Sequence, residues 1–355
     1  ALVEGGFWVC APAWPPDGKT RAYSTDRAGK LDIWLRDMAP GAERQLTRHK
    51  DAAVSAAWSW DGRMLAFLDQ AGSLHTVDVG TGAVKQVFGA IWEPGKPTWS
   101  PDGKTLALAA FKPQSARFRE GLSEILTVDV ATGAGAFQPV FPGKSLGTRG
   151  DDGPVWSPDG KSLAFVFASR LWTVPVDPKG RFVGEPRALN NEVTDAPTWS
   201  GDSQSLLYLC NGKLRLIPAG GGAPRTIPHG LTWALAKPQG KVVVRAGKLW
   251  DGTGPQQREN VDIVIAGNRI ADIVPAGQAT MGDAKLVEGP SVIPGLVEMH
   301  AHRQMQGYAY GDREGRLWLS LGVTTTRSPG SPAYHMVEDR EAIDAGARVG
   351  PRYFS

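Results

Sequence analysis

The stretch WSPDGK runs from Trp99 to Lys104 and returns unchanged from Trp156 to Lys161. Looser copies read WPPDGK from Trp14, WSWDGR from Trp58 and WSGDSQ from Trp199, at spacings of 44, 41, 57 and 43 residues. A short strand leads into each Trp, as in KPTWS ending at Ser100 and DAPTWS ending at Ser200. An Asp-Gly turn follows at Asp61-Gly62, Asp102-Gly103 and Asp159-Gly160. Asp-Gly is a strong hairpin signal, because Gly accepts the left-handed backbone that a tight turn needs. Apolar strands come next at Met64–Leu68, Leu106–Ala110, Leu163–Phe167 and Leu206–Leu209. Two units continue into a third strand and an acidic turn, TVDVGTGA after His75 and TVDVATGA after Leu126. Four strands repeated about every 43 residues are the arithmetic of a β-propeller blade.

Composition agrees with many short strands. The 355 residues include 44 Gly, 27 Pro and 13 Trp, which punctuate short apolar runs. The net charge is only +3, with Lys and Arg dispersed, so no basic stripe for nucleic acid exists. No apolar run approaches the roughly 18 residues of a membrane-spanning helix. Cys10 and Cys210 are expected to be two buried free thiols, pairing only if a ring brings the chain ends together. The Trp residues read as packing between blades and the Asp residues as turn formers. His49, His75 and His229 read as surface or strand residues. The longer third unit carries an insertion around Lys112–Gly121.

Residues 10–230 thus resemble the propeller repeats of TolB-like proteins. Five blades are visible, of a ring that has room for six or seven. A sixth starts at Leu231–Ala236 or is completed from outside the chain.

From Lys241 the pattern changes. KVVVRAGKLWDGTG begins there, NVDIVIAGNRIADIVPAG begins at Asn260, and SVIPGLVEMHAH runs from Ser291 to His302. The first two read as strands bent at Gly. The third predicts one apolar strand over Ser291–Met299, buried on both faces and ending in His300-Ala301-His302. Histidines at i and i+2 on a strand project to one side, and two imidazoles can then reach one ion at about 2.0–2.1 Å. The bland alternative is a pair of buried strand histidines satisfied by their neighbours.

The series LWDGTG at Leu249, VIAGNRIADI at Val264, VIPGLVEMHAH up to His302, LGVTTTRSPG at Leu321 and ARVGPRYFS at the terminus resembles the amidohydrolase superfamily, in its imidazolonepropionase- and prolidase-like branch. The resemblance implies a multi-domain chain. A β-propeller would occupy residues 1–235, the β-sandwich part of an amidohydrolase 236–290, and the first strands and helices of a (β/α)8 barrel 291–355. It also implies that His300 and His302 bind a divalent metal, zinc in the first place with Mn, Fe or Co as alternatives, as one or two ions. Glu298 stands where the family more often has Asp, and Arg303 beside the pair is unusual. His335 is expected to be structural, on a helix after Pro332. Arg327 and Thr324–Thr326 stay open between structure and substrate contact.

A whole barrel takes about 250 residues, and this chain stops at Ser355. The remaining ligands and a catalytic Asp would lie on later strands, so no catalytic residue is assigned. The expected partner is a complementary polypeptide or C-terminal remainder carrying those strands. The implied activity is hydrolysis of an amide bond in a peptide, N-acyl or cyclic amide substrate. The alternative is a non-catalytic binding module with a vestigial hydrolase segment. With neither an initiator Met nor a leader before Ala1, a periplasmic or secreted location is expected, with the cytoplasm as alternative.

Overall fold

The computed structural model describes residues 9–117, 120–148, 151–230, 232, 234–301, 313–330 and 333–354. The chain divides into two compact units, one ending at Gly230 and the other beginning at Leu231. In the first, five antiparallel sheets of four strands each follow the chain order. Blade one comprises Val9–Ala13, Thr20–Thr25, Asp32–Asp37 and Glu43–Gln45. Blade two comprises Val54–Trp58, Met64–Leu68, Leu74–Asp78 and Val84–Phe88. Blade three comprises Thr98–Trp99, Thr105–Pro113, Gly121–Asp129 and Gly135–Gln138. Blade four comprises Val155–Trp156, Ser162–Phe167, Arg170–Pro175 and Arg187–Ala188. Blade five comprises Asp195–Trp199, Ser205–Cys210, Lys213–Pro218 and Arg225–Ile227.

The middle strands are apolar on both faces because each blade is sandwiched by its neighbours. Leu65, Phe67 and Val77 of blade two meet Ile33 and Leu35 of blade one, while Ala66, Leu68 and Leu74 meet Leu106 and Leu108 of blade three. On blade five, Leu206, Tyr208 and Cys210 face blade four. The other face carries Leu207, Leu209, Leu214 and Leu216, all half-exposed. The insertion in the third unit is an extension of the central hairpin, paired from Thr105↔Asp129 out to Pro113↔Gly121. Cys210 is a free, buried thiol, and the side chain of Cys10 lies outside the described residues.

The second unit opens with one mixed sheet in the order Arg269–Pro275, Arg258–Ala266, Lys241–Leu249, Lys285–Val292. Only the last pair is parallel. Ala246, Leu249, Val261 and Ile263 form its core. The fully buried Asp262 is held by Arg245 at 2.8 Å and by the Gly277 N–H at 2.7 Å. Next come three parallel strands, Leu296–Glu298, Val323–Arg327 and Arg352–Phe354. Helix α1 (Arg313–Ser320) and helix α2 (Ala333–Asp344) lie in the two connections.

The single strand expected over Ser291–Met299 is instead two strands in two sheets, ending at Val292 and restarting at Leu296. Pro294 has no N–H to continue a ladder. Gly295 brings the new strand so close to its neighbour that a Cβ there would lie 2.0 Å from Thr324 Oγ1. Nor is the new strand buried, since Leu296 and Val297 are 51% and 57% exposed. Among the described residues the parallel part amounts to these three strands and two helices, and no (β/α)8 barrel is formed. No described helix is long and apolar enough to cross a membrane.

One hydrogen-bond pattern recurs in blades two to five. Ser59, Ser100, Ser157 and Ser200 each donate a hydroxyl to the Asp two residues on, at 2.5–2.7 Å. Each Ser oxygen then accepts the backbone N–H five residues on, closing the loop onto the second strand. The Trp before the Ser reaches backwards. Trp58 Nε1 donates to Ala13 O, Trp99 Nε1 to Ala57 O and Trp199 Nε1 to Val155 O, at 3.0–3.1 Å, each crossing a seam to the preceding blade. Trp156 departs from this, donating to Gly160 O in its own turn.

First strands of successive blades touch, which places them at the hub. Those of blades one, two and five carry a bulge at the same place, with Ala11, Ser55 and Ala196 at positive φ three residues before the Trp. Gly153 takes positive φ at the matching position just before the blade-four strand. Around this hub Asp152 accepts the Ala196 N–H at 3.4 Å and lies near Asp195. Burial first, then the charge of Asp195, pushes the Asp152 carboxyl up to about 7, and burial also raises Asp195.

Two predictions follow from these contacts. Trp99→Phe removes the seam bond and part of a buried ring, so the unfolding free energy should drop by about 1–3 kcal/mol. An unchanged urea midpoint would show that the bond contributes nothing. Asp152 binds its proton more tightly folded, at about 7, than unfolded, at 3.8. The stability it contributes is therefore complete below the unfolded value and lost as pH rises through the folded one. Wild-type protein should lose on the order of 1–3 kcal/mol across that window, and Asp152→Asn should remove this slope in thermal melts. A variant with the wild-type slope would assign the dependence elsewhere.

Candidate functional site

His300 lies just past the carboxyl end of the first parallel strand, and its side chain is exposed. Its backbone N–H donates to Glu298 Oε1 at 2.8 Å, so Glu298 fixes the turn out of the strand. Ala301 is buried, and its N–H donates to Arg327 O at 2.9 Å. One strand further on, the Ser328 N–H donates to Phe354 O at 2.9 Å. The carboxyl ends of the three parallel strands are thereby tied side by side, with His300 on that edge. His302 and Arg303 lie outside the described residues. On the second strand Thr326 is buried, with Oγ1 lacking a hydrogen-bond partner among the described residues, while Arg327 is exposed. His335 belongs to α2.

A second group was not singled out by the sequence reading. His49, in the link between blades one and two, comes together with Asp69 and His75 of blade two, their candidate ligand atoms all within 4.8 Å of one another. His75 is 5% exposed and lies 3.1 Å, through Nε2, from Asp69 Oδ2. Asp69 Oδ1 accepts the Ser73 N–H at 2.8 Å, closing the turn between the two strands. Phe67 stacks on His75 at 5.1 Å and 15°, and the His49 ring meets His75 edge-on at 4.6 Å. His75 Nδ1 is buried without a hydrogen-bond partner among the described residues.

Burial, then His75, then Lys30 holds His49 below its ordinary value, against Asp69 and Asp51. Burial would raise Asp69, but hydrogen bonds from Ser73 and His75 outweigh it and leave the carboxyl below its usual range. The group therefore pairs an ionised carboxylate with an imidazole disposed to be neutral. Beside His49 opens a cleft of about 510 Å³ that also takes in Arg44, Arg48 and Lys50. The separations of 20 and 6 residues match no short ligand motif. The available signal was an Asp and a His flanking one tight turn, LDQAGSLH from Leu68 to His75.

No protein-family model matches the chain. One curated relative, described as an uncharacterized peptidase YuxL of Bacillus subtilis, is 27% identical over 108 residues, covering 28% of this chain and 16% of its own. Among solved structures, TolB from Acinetobacter baumannii has a TM-score of 0.52 at 22% identity, covering 64% of this chain and 56% of TolB. An oligogalacturonate lyase in complex with manganese has a TM-score of 0.49 at 16% identity, over 63% of this chain and 67% of the lyase. The chain thus spans a sixth of its curated relative and little more than half of the TolB structure. These likenesses concern the fold, and the first unit is a β-propeller of the TolB-like kind.

Proposed function

We propose that this chain is the propeller and opening barrel segment of a metal-dependent amidohydrolase that hydrolyses an amide bond in a peptide, N-acyl or cyclic amide substrate. The observation that carries the reading is the parallel strand-helix-strand-helix-strand order with His300 at the carboxyl edge of its first strand. Barrel enzymes build their active sites on that edge. In this reading His300 and His302 hold a divalent ion, with zinc first and Mn, Fe or Co as alternatives. Imidazole nitrogen is a donor suited to these ions, and the exposure of His300 leaves its ring accessible to one.

A bound ion of this kind supplies a water acidic enough to attack at neutral pH and polarises the scissile carbonyl. The chain's own residues do the positioning. Glu298 fixes the turn that presents His300, and the Ala301–Arg327 bond fastens that turn to the second strand. The remaining ligands and the catalytic Asp belong, in this proposal, to later strands on a C-terminal remainder or a complementary polypeptide. The exposed Leu296, Val297 and Met299 support such a partner, since apolar strand faces of this kind need a cover. A periplasmic or secreted location belongs to the same proposal.

The test is metal analysis and amide hydrolysis by the complete protein and its His300→Ala variant. The complete protein should carry one or two ions per chain that His300→Ala removes. His300→Ala should lower kcat/KM by ~100-fold or more, since a lost ligand outweighs the 10–100-fold effect of an outer-shell change. The propeller should stay folded by circular dichroism, because the two units have separate cores. Full activity and full metal content in His300→Ala would overturn the assignment. Absence of both metal and hydrolysis in the complete protein would favour the binding-module reading.

A further inference from the structure

We propose that His49, Asp69 and His75 form a second metal site, for a first-row divalent ion of the zinc class, in the seam between blades one and two. It is independent of His300, which belongs to the other unit.

The argument begins with an unmet polar atom. A neutral imidazole has one nitrogen that donates and one that accepts. Asp69 occupies Nε2 of His75, and nothing described meets Nδ1, although the residue is 5% exposed. A buried nitrogen with no partner forfeits the hydrogen bond it had with water, so a purely structural histidine would be better replaced by an apolar residue. The carboxylate fixes the ring with Nε2–H toward Asp69, which makes Nδ1 the lone pair. That is the carboxylate–histidine arrangement by which metal-binding imidazoles are oriented.

The second ligand is His49, whose ring lies 4.6 Å from that of His75. Tetrahedral ligands about 2.0–2.1 Å from an ion sit roughly 3.3 Å apart. The candidate ligand atoms of His49, Asp69 and His75 lie within 4.8 Å of one another, and the half-exposed His49 on its linking segment has room to rotate toward His75. Asp69 and Asp51 contribute negative charge beside His49, and Lys30, whose charge opposes them there, is held by Asp32 at 2.5 Å. His49 also lines the cleft that takes in Arg44, Arg48 and Lys50, which would give water or an anionic ligand a way to its side of the site. Phe67 stacks on the His75 ring, so the site has a dry wall on that side.

The test uses the whole chain carrying His300→Ala, which removes the other candidate site. Calorimetric titration with Zn²⁺ should show one equivalent bound, and Co²⁺ in its place should give a visible ligand-field spectrum. Saturating Zn²⁺ should raise the melting temperature. Adding His49→Ala should abolish all three signals while near-ultraviolet circular dichroism stays unchanged. Asp69→Asn should weaken Zn²⁺ about 10–100-fold, as loss of an orienting carboxylate does. His49→Ala is the deciding variant because its side chain is half-exposed and its loss does not open the core. No stoichiometric uptake by the His300→Ala chain, or uptake unaltered by His49→Ala, overturns the proposal. Either result leaves the His300 reading untouched, because that site is absent from every protein in the series.

Discussion

The indole N–H of a Trp, donated across a seam to the backbone of the preceding blade, is the constraint on which the propeller depends. A blade of four short strands with two apolar faces cannot stand alone. Each face must meet another blade, and a non-directional apolar contact would let blades slide. Trp58, Trp99 and Trp199 remove that freedom by pairing a hub-side carbonyl of the previous blade. The Ser–Asp hydrogen bond directly after each Trp then fixes the turn, so seam and hairpin are set by neighbouring residues. Blade four shows the limit of the pattern. Trp156 turns its N–H to its own loop, and its backbone N–H crosses the seam to Thr98 Oγ1 at 3.1 Å instead.

Such local coding made the propeller legible. The strands Met64–Leu68 and Ser162–Phe167 stand where the apolar runs put them, since the turn residues on either side fix the register. Even the outlying fifth copy, with Ser203 where the others have Gly, has a reason. Ser203 takes a φ of 62°, the strained region Gly would occupy freely, and its hydroxyl accepts the Asp159 N–H of the preceding blade at 3.0 Å. A seam bond offsets a backbone cost.

Less of the second unit and the sites was legible, for physical reasons. The run from Ser291 to Met299 reads as one strand because hydrophobicity carries no information about which sheet a residue joins. Pro294 and Gly295 divide it, and the second of them matters through its closeness to Thr324, a contact made by tertiary structure. His300 was visible because its neighbours in sequence are also its neighbours in space. The His49–Asp69–His75 group was not, because a link and a hairpin meet only once blade two is folded.

The two histidine groups also differ in what they ask of the rest of the molecule. His300 is exposed just past its strand, so under the proposed function the order of its surroundings would come from later strands. A metal held there by two imidazoles alone would keep half its shell in water, and its affinity would depend on ligands arriving from elsewhere. His75 is already immobilised, with Asp69 on one nitrogen, Phe67 against its face and the Ser73 turn behind Asp69. Most of the entropy that ligand ordering costs has been met by folding blade two itself. An ion in the seam would therefore act on the stability of the propeller, whereas an ion at His300 would act on chemistry. The same side chain would thus serve opposite ends, according to whether the fold or a partner completed its surroundings.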